Sequence, residues 1–253
     1  MNIIIKHYIL LFIAVLSCYS SFAQSKKDSA QAFPFVKFHY AYLFPSGDFE
    51  ETYGNSSSLG GGVGYKTKSN WQFEIDANYL FGGNVKRKDL LSGIINDEGD
   101  ATDADGELVK IIYDLRGLSI SASVGKIFPV FNINPNTGIL LKAGIGYIQH
   151  RIKIDYRDGD VFQLNEEMLK GYDRLHSGLL LNQFIGFQYF GRRNFTNFQI
   201  GLELNEGLTK NQREYNYDTR SYDKNQKNDF LYGFRLSWVI PIKGRTADEY
   251  YFY

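Results

Sequence analysis

Between Trp71 and Gly82 the apolar residues Trp71, Phe73, Ile75, Ala77, Tyr79 and Phe81 fall at every second position, with Gln72, Glu74, Asp76 and Asn78 between them. Successive side chains of an extended strand point to opposite faces, so this segment has one apolar face and one charged face. The same alternation runs through 36–44, where Val36, Phe38, Tyr40, Tyr42 and Phe44 oppose Lys37, His39 and Ala41. In 196–205, Phe198, Ile200, Leu202 and Leu204 oppose Asn197, Gln199, Gly201, Glu203 and Asn205; in 230–242, Phe230, Tyr232, Phe234, Leu236, Trp238 and Ile240 oppose Gly233, Arg235 and Ser237. Weaker versions occupy 59–67, 116–128, 139–154 and 176–190, where the second face is mostly Gly, Ser and Asn. Eight strands are therefore predicted.

The connections alternate in length. Those after the second, fourth and sixth strands (68–70, 129–137 and 191–194) are short, whereas 45–58, 83–113, 156–175 and 206–229 are long and polar. An up-and-down antiparallel sheet gathers all the short turns at one end and all the long loops at the other, which is the asymmetry of an outer-membrane barrel with periplasmic turns and external loops. The prediction is an all-β, eight-stranded antiparallel up-and-down transmembrane β-barrel over 36–242 in the cell outer membrane. Aromatic positions bear on it independently, because amphipathic rings collect at membrane interfaces. The strand order brings Trp71, Phe187, Tyr189, Phe198 and Trp238 to the periplasmic rim, and Tyr42, Phe44, Tyr79, Phe81, Tyr147, Phe230 and Tyr232 to the external rim. Alternation is blind to which face is inside, so a soluble periplasmic barrel of lipocalin type, carrying a ligand, is the competing architecture. Large aromatic side chains would overfill a small barrel, and the Gly, Ser and Ala residues of the other face suit a crowded lumen.

The N-terminus reads as a secretory signal peptide over 1–23: Lys6 and His7 precede an apolar run from Tyr8 to Leu16, and Ser21-Phe-Ala23 supplies a small-x-small cleavage site. The apolar run is shorter than the roughly 20 residues a membrane-spanning helix needs. An alternative is lipidation at Cys18, the chain's single cysteine. Cleavage after Ala23 removes that thiol, which excludes a disulfide scaffold, a zinc–cysteine site and a cysteine nucleophile. Residues 24–35 are expected to form an N-terminal periplasmic segment and 243–253 a periplasmic tail. The whole chain is formally neutral, with 28 basic and 28 acidic residues, so nucleic acid is not an expected partner.

Inward-pointing charges follow from the parity: Lys37, His39, Glu74, Asp76, Lys142, Glu203 and Arg235 are expected to line the lumen and to pair, since isolated ions are costly there. Glu203, Arg235 and Lys37, on neighbouring strands of a closed barrel, are the expected core of a network that fills the bore. His150 and His176 also point inward near the external end; with Asp173 and Ser177 adjacent, an outer-leaflet lipid hydrolase or acyltransferase is conceivable, without a spacing motif to support it. The acidic run from Asp97 to Glu107 fails the helical-hand calcium template, because placing Gly106 at position 6 puts Ala101 at position 1. The loop 206–229 mixes both charge signs with Tyr215, Tyr217 and Tyr222, a composition suited to protein contact. The four aromatic residues near the C-terminus read as an assembly signal or as a partner-binding tail. No cofactor and no catalytic or metal site is expected. The expected partners are outer-membrane lipids and other outer-membrane or periplasmic proteins, through the loops and the tail.

With the leader, the strand count, Gly47-Asp-Phe49, the run Gly60-Gly-Gly-Val-Gly-Tyr65 and Trp238-Val-Ile-Pro241 in view, the mature chain resembles the PorT-like outer-membrane β-barrel family of gliding, type IX-secreting bacteria. The resemblance covers nearly the whole mature chain. It implies a non-enzymatic barrel acting as an accessory or scaffold subunit of a membrane protein complex, in secretion or outer-membrane assembly.

Overall fold

A computed structural model describes residues 30–130, 133–156, 161, 164–191, 196–213 and 215–242. The expected leader, most of the N-terminal segment and the C-terminal tail lie outside the described residues. Among the described residues are nine strands: β1 (Phe33–Gly47), β2 (Ser56–Lys66), β3 (Trp71–Gly82), β4 (Asp100–Thr102), β5 (Leu108–Pro129), β6 (Gly138–Tyr156), β7 (His176–Phe190), β8 (Asn197–Asn211) and β9 (Gln226–Pro241). All but β4 form an antiparallel barrel in sequence order, closed where β1 pairs with β9 along Phe35–Gly47. The short β4 hairpins onto the start of β5 within a long connection.

Closure decides which face is inside. Phe38, Ile75, Ile120, Ile145, Ile185, Ile200 and Phe234 are each at least 50% exposed on the outer wall, while Lys37, Glu74, Lys142 and Glu203 are at most 5% exposed in the bore. The apolar face is therefore outward, the opposite of a lipocalin: the bulky apolar side chains lie outside, and paired polar residues fill the narrow bore.

The strands do not all end at the wall. β5 and β6 have 22 and 19 residues, well beyond the roughly 10 that a tilted strand needs to cross a membrane. Beyond the band their pattern inverts. On β6 the outward series Ile139, Leu141, Ala143, Ile145, Tyr147 gives way to outward Gln149, Arg151 and Lys153, while Ile148, Ile152 and Ile154 turn inward and are buried. On β5, Val109, Ile111 and Leu115 are likewise inward. These residues pack with Phe49 and Tyr53 of the short helix Asp48–Thr52 and its C-cap, Leu90 and Leu91 of a 3-10 turn, and Val161 and Leu164. The long connections thus form a folded cap with its own apolar core. Starting β5 at Arg116 missed this, because the residues before it alternate with the opposite phase.

At the short-turn end Phe33, Phe35, Ile127, Leu140, Phe184, Phe190 and Val239 point inward as a second apolar cluster. The bore therefore has three layers: an apolar plug, a charged middle and the underside of the cap.

Candidate functional site

The charged middle is built around a glycine strand. In the register, Lys37 faces Gly62, which faces Asp76; His39 faces Gly60, which faces Asn78; Phe35 faces Gly64, which faces Glu74. A Cβ at Gly62 would fall on the Asp76 carboxylate, and one at Gly60 on the His39 ring. Side chains of β1 and β3 consequently meet across β2. Lys37 Nζ donates to Glu74 Oε2 at 2.6 Å and to Asp76 Oδ2 at 2.9 Å. From the far wall Lys142 Nζ donates to the same Glu74 oxygen at 2.6 Å and lies 3.5 Å from Asp76. Gln199 Nε2 donates to Glu74 Oε1 at 3.4 Å.

Arg235 forms the other half. Its Nη2 donates to Glu203 Oε1 at 2.8 Å and to Asn78 Oδ1 at 3.3 Å, and its Nη1 lies 3.8 Å from Asp76. His39 Nε2 meets the same Asn78 oxygen at 2.5 Å. Asn205 donates to Glu203 and accepts from Asn182 at 2.7 Å. All seven residues assigned to the lumen are buried in one connected network, with Lys37, Lys142 and Arg235 balancing Glu74, Asp76 and Glu203. Two details differ from the sequence reading. Lys37 pairs with Glu74 and Asp76 rather than with Glu203, and Glu74 bridges cations from opposite walls. The alternate glycines Gly60, Gly62 and Gly64 were the available signal, since inward-facing positions without side chains let neighbours reach across.

Above this layer, at the base of the cap, His150 Nε2 and the Asp229 carboxylate are 2.9 Å apart, and Thr209 Oγ1 donates to the same oxygen at 2.6 Å. His176 stacks on His150, with ring centroids 5.6 Å apart and 8° between planes, and its Nδ1 meets the Arg174 carbonyl at 2.7 Å. Phe49 and Tyr53 close the other side, the Tyr53 hydroxyl 3.5 Å from His150 Nδ1. Burial, and then the Asp229 and Asp173 carboxylates, hold the Tyr53 phenol well above its ordinary pKa, so it stays neutral.

This arrangement departs from the hydrolase expectation. Asp173 binds Arg213, at 2.9 and 2.5 Å, rather than a histidine. Ser177 follows His176 on β7 and by alternation lies on the opposite face. The Thr209 hydroxyl donates to the Asp229 carboxylate. The space beside the histidines, lined also by Arg87, Arg174 and Lys227, is about 20 Å³, enough for an ordered water and too small for a lipid ester.

The acidic run folds as tight turns around β4. Asn96 Oδ1 accepts from the amides of Glu98 and Asp100, and Asp103 Oδ1 from those of Asp105 and Glu107, with Gly99 and Gly106 at positive φ. Among the described residues no three His, Cys, Asp or Glu side chains converge on a metal position. In the last long connection Tyr215 packs on Tyr217 and Tyr222, and Tyr172 from another connection joins them at 5.5 Å from Tyr217. Asp218 anchors the group by pairing with Arg174 and, at 3.2 Å, with Arg87. Arg87 lies 131 residues away in sequence, so no local pattern could have announced that anchor.

Every aromatic residue assigned to the two rims is on the outward face. Tyr189 stacks on Phe198 at 5.3 Å, and Trp71 carries Lys126 Nζ 4.9 Å above its ring, near the short turns. Phe187 and Trp238 share that end. At the other rim Phe44 packs on Tyr42 and Tyr232, and Tyr79 on Phe81, with Tyr147 and Phe230 at the same end.

No family model matches the chain, and no curated protein matches it. Solved structures similar to it include Neisserial surface protein A (14% identity, TM-score 0.45, covering 83% of this chain and 98% of that one). Ail, the attachment invasion locus protein of Yersinia pestis, in complex with the heparin analogue sucrose octasulfate, is 9% identical, with a TM-score of 0.45 over 83% of this chain and 99% of that one. The outer membrane protein OprG from Pseudomonas aeruginosa is 12% identical, with a TM-score of 0.36 over 86% of this chain and 99% of that one.

Proposed function

We propose that this chain is a non-enzymatic, non-conducting outer-membrane barrel that serves as a scaffold subunit, offering its folded cap to other proteins of a membrane complex. The observation that carries the reading is the contrast between its surfaces. The outer wall is an apolar band edged by aromatic rings, which needs lipid around it, while the bore is filled by balanced ion pairs between two apolar layers, which leaves nothing to conduct. What faces solvent beyond the band is the cap, where the tyrosine cluster, with Tyr222 68% exposed and Tyr217 40%, is a contact face rich in rigid aromatic area. The resemblance to PorT-like proteins makes secretion or outer-membrane assembly the process proposed for that complex.

The experiment is fractionation followed by affinity purification from detergent-solubilised outer membrane. The protein is expected in the outer membrane with heat-modifiable migration on gels, silent in planar bilayers. Deletion within 210–227 is expected to reduce a copurifying partner while the barrel stays folded. Recovery in the soluble periplasm would remove the membrane reading; unaltered copurification after the deletion would remove the cap as the contact face.

A further inference from the structure

Among the described residues, one primary amide interrupts the lipid-facing wall. On β7 the outward series is Leu179, Leu181, Gln183, Ile185 and Phe187, so Gln183 sits in the middle of the apolar band, exposed, with two apolar residues on either side of it along the strand. Its amide makes no hydrogen bond among the described residues. On the same band the Tyr40 hydroxyl, by contrast, meets Ser57 Oγ at 2.8 Å. A primary amide held in hydrocarbon with nothing to bond is costly, because no water reaches that depth to satisfy it.

The surroundings of Gln183 differ from the rest of the wall. It lies in the register row Tyr232, Leu204, Gln183, Ala143, Val124, which runs across β9, β8, β7, β6 and β5. The small Ala143 beside it lowers this row, and a shallow groove of about 670 Å³ follows it. Across the barrel, β1 to β3 present Phe38, Leu59, Val63 and Ile75 with the small Gly61 and Ala77 between them, an apolar wall without an amide.

We propose that this groove is a homodimer interface in the membrane, two copies packing β6–β8 against β6–β8 with their Gln183 amides hydrogen-bonded to each other. The occupant follows from the chemistry of the amide. It carries a donor and an acceptor, so a two-fold axis beside Gln183 pairs each copy's N–H with the other's C=O, a self-complementary contact of the kind an isologous interface needs. A lipid chain offers neither group. Of the charged residues around the groove, Lys142 and Glu203 turn into the bore and are ion-paired there, and Lys126 is held over Trp71 at the rim, so two copies meet without repulsion. The inference rests on the membrane reading, and fractionation tests that reading separately before any dimer is sought.

The test uses the full chain with Cys18→Ser, in outer membranes. Ala143→Cys lies one strand, about 5 Å, to one side of the axis in each copy, so the two thiols are about 10 Å apart and are expected to be joined by a bis-maleimide of that span into a species of twice the mass, and Val63→Cys, on the opposite wall, is not. Adding Gln183→Leu is expected to weaken dimerisation roughly tenfold, the size of an interhelical polar contact in lipid. That variant trades an exposed amide for an apolar group and should fold, which retained heat-modifiable migration verifies; Ala143→Phe, filling the groove, gives an independent loss of dimer. Equal cross-linking at both cysteines, none at either, a dimer indifferent to Gln183→Leu, or cross-linking of Ala143→Cys to a different protein would each overturn the proposal.

Discussion

Ile145 and Ile152 lie seven residues apart on one unbroken strand, yet one is 55% exposed on the outer wall and the other is fully buried inside. Between them the strand leaves the apolar band. In the wall the inside is polar and the outside apolar; in the cap the inside is apolar and the outside carries Arg151 and Lys153. The backbone is continuous and its hydrogen-bond ladder with β5 runs through both regions without a break, from Ile111–Tyr156 to Pro129–Gly138. What changes is the medium outside. An apolar side chain faces outward where lipid surrounds the strand and inward where water does, so the phase of the alternation records the local solvent. The two regions also differ in what holds them together: paired ions below, hydrophobic packing above.

The largest test of that difference is Glu74→Gln. It removes the carboxylate shared by Lys37 and Lys142 and leaves two buried ammonium groups short of a partner, a loss of about 3–5 kcal/mol. Equilibrium unfolding in lipid vesicles measures it; an unchanged midpoint would mean that water screens the bore. In the cap, Ile152→Ala opens a void in a packed apolar core and is expected to cost about 3 kcal/mol. The loss should show as faster proteolysis of the long connections while the wall keeps its heat-modifiable migration. If the barrel fails together with the cap, the two are one cooperative unit and the contrast drawn above is too sharp.

Ile145→Lys puts a charge on the lipid face at an expected cost of about 2 kcal/mol, read by the same vesicle assay. A neutral result there would place the wall in water. The smallest effect is expected from Arg151→Leu: its guanidinium is exposed and 3.7 Å from Asp173, so stability should move by no more than about 0.5 kcal/mol. A large loss from that change would show that the outside of the cap is itself covered by something.

The alternation over 36–44, 71–82, 196–205 and 230–242, with the alternating lengths of the connections, carried the strand count, the up-and-down topology and the parity of each side chain, because these are properties of neighbours along one chain. The phase slip between Tyr147 and Ile148 was also present in the sequence, and reading 139–154 as one weak strand concealed it. Alternation is unchanged when inside and outside are exchanged; residue size, with large aromatics on one face and Gly, Ser and Ala on the other, pointed to the apolar face as the outer one, and the tertiary structure bore that out. The tertiary structure alone chose the partners: Lys37 with Glu74 across the glycines of β2, His150 with Asp229 rather than His176 with Asp173, and Asp218 with Arg87 from another connection. Those pairs join residues 37, 79 and 131 positions apart, and at such separations no period of the chain relates one residue to the other; only closing the barrel brings them within reach.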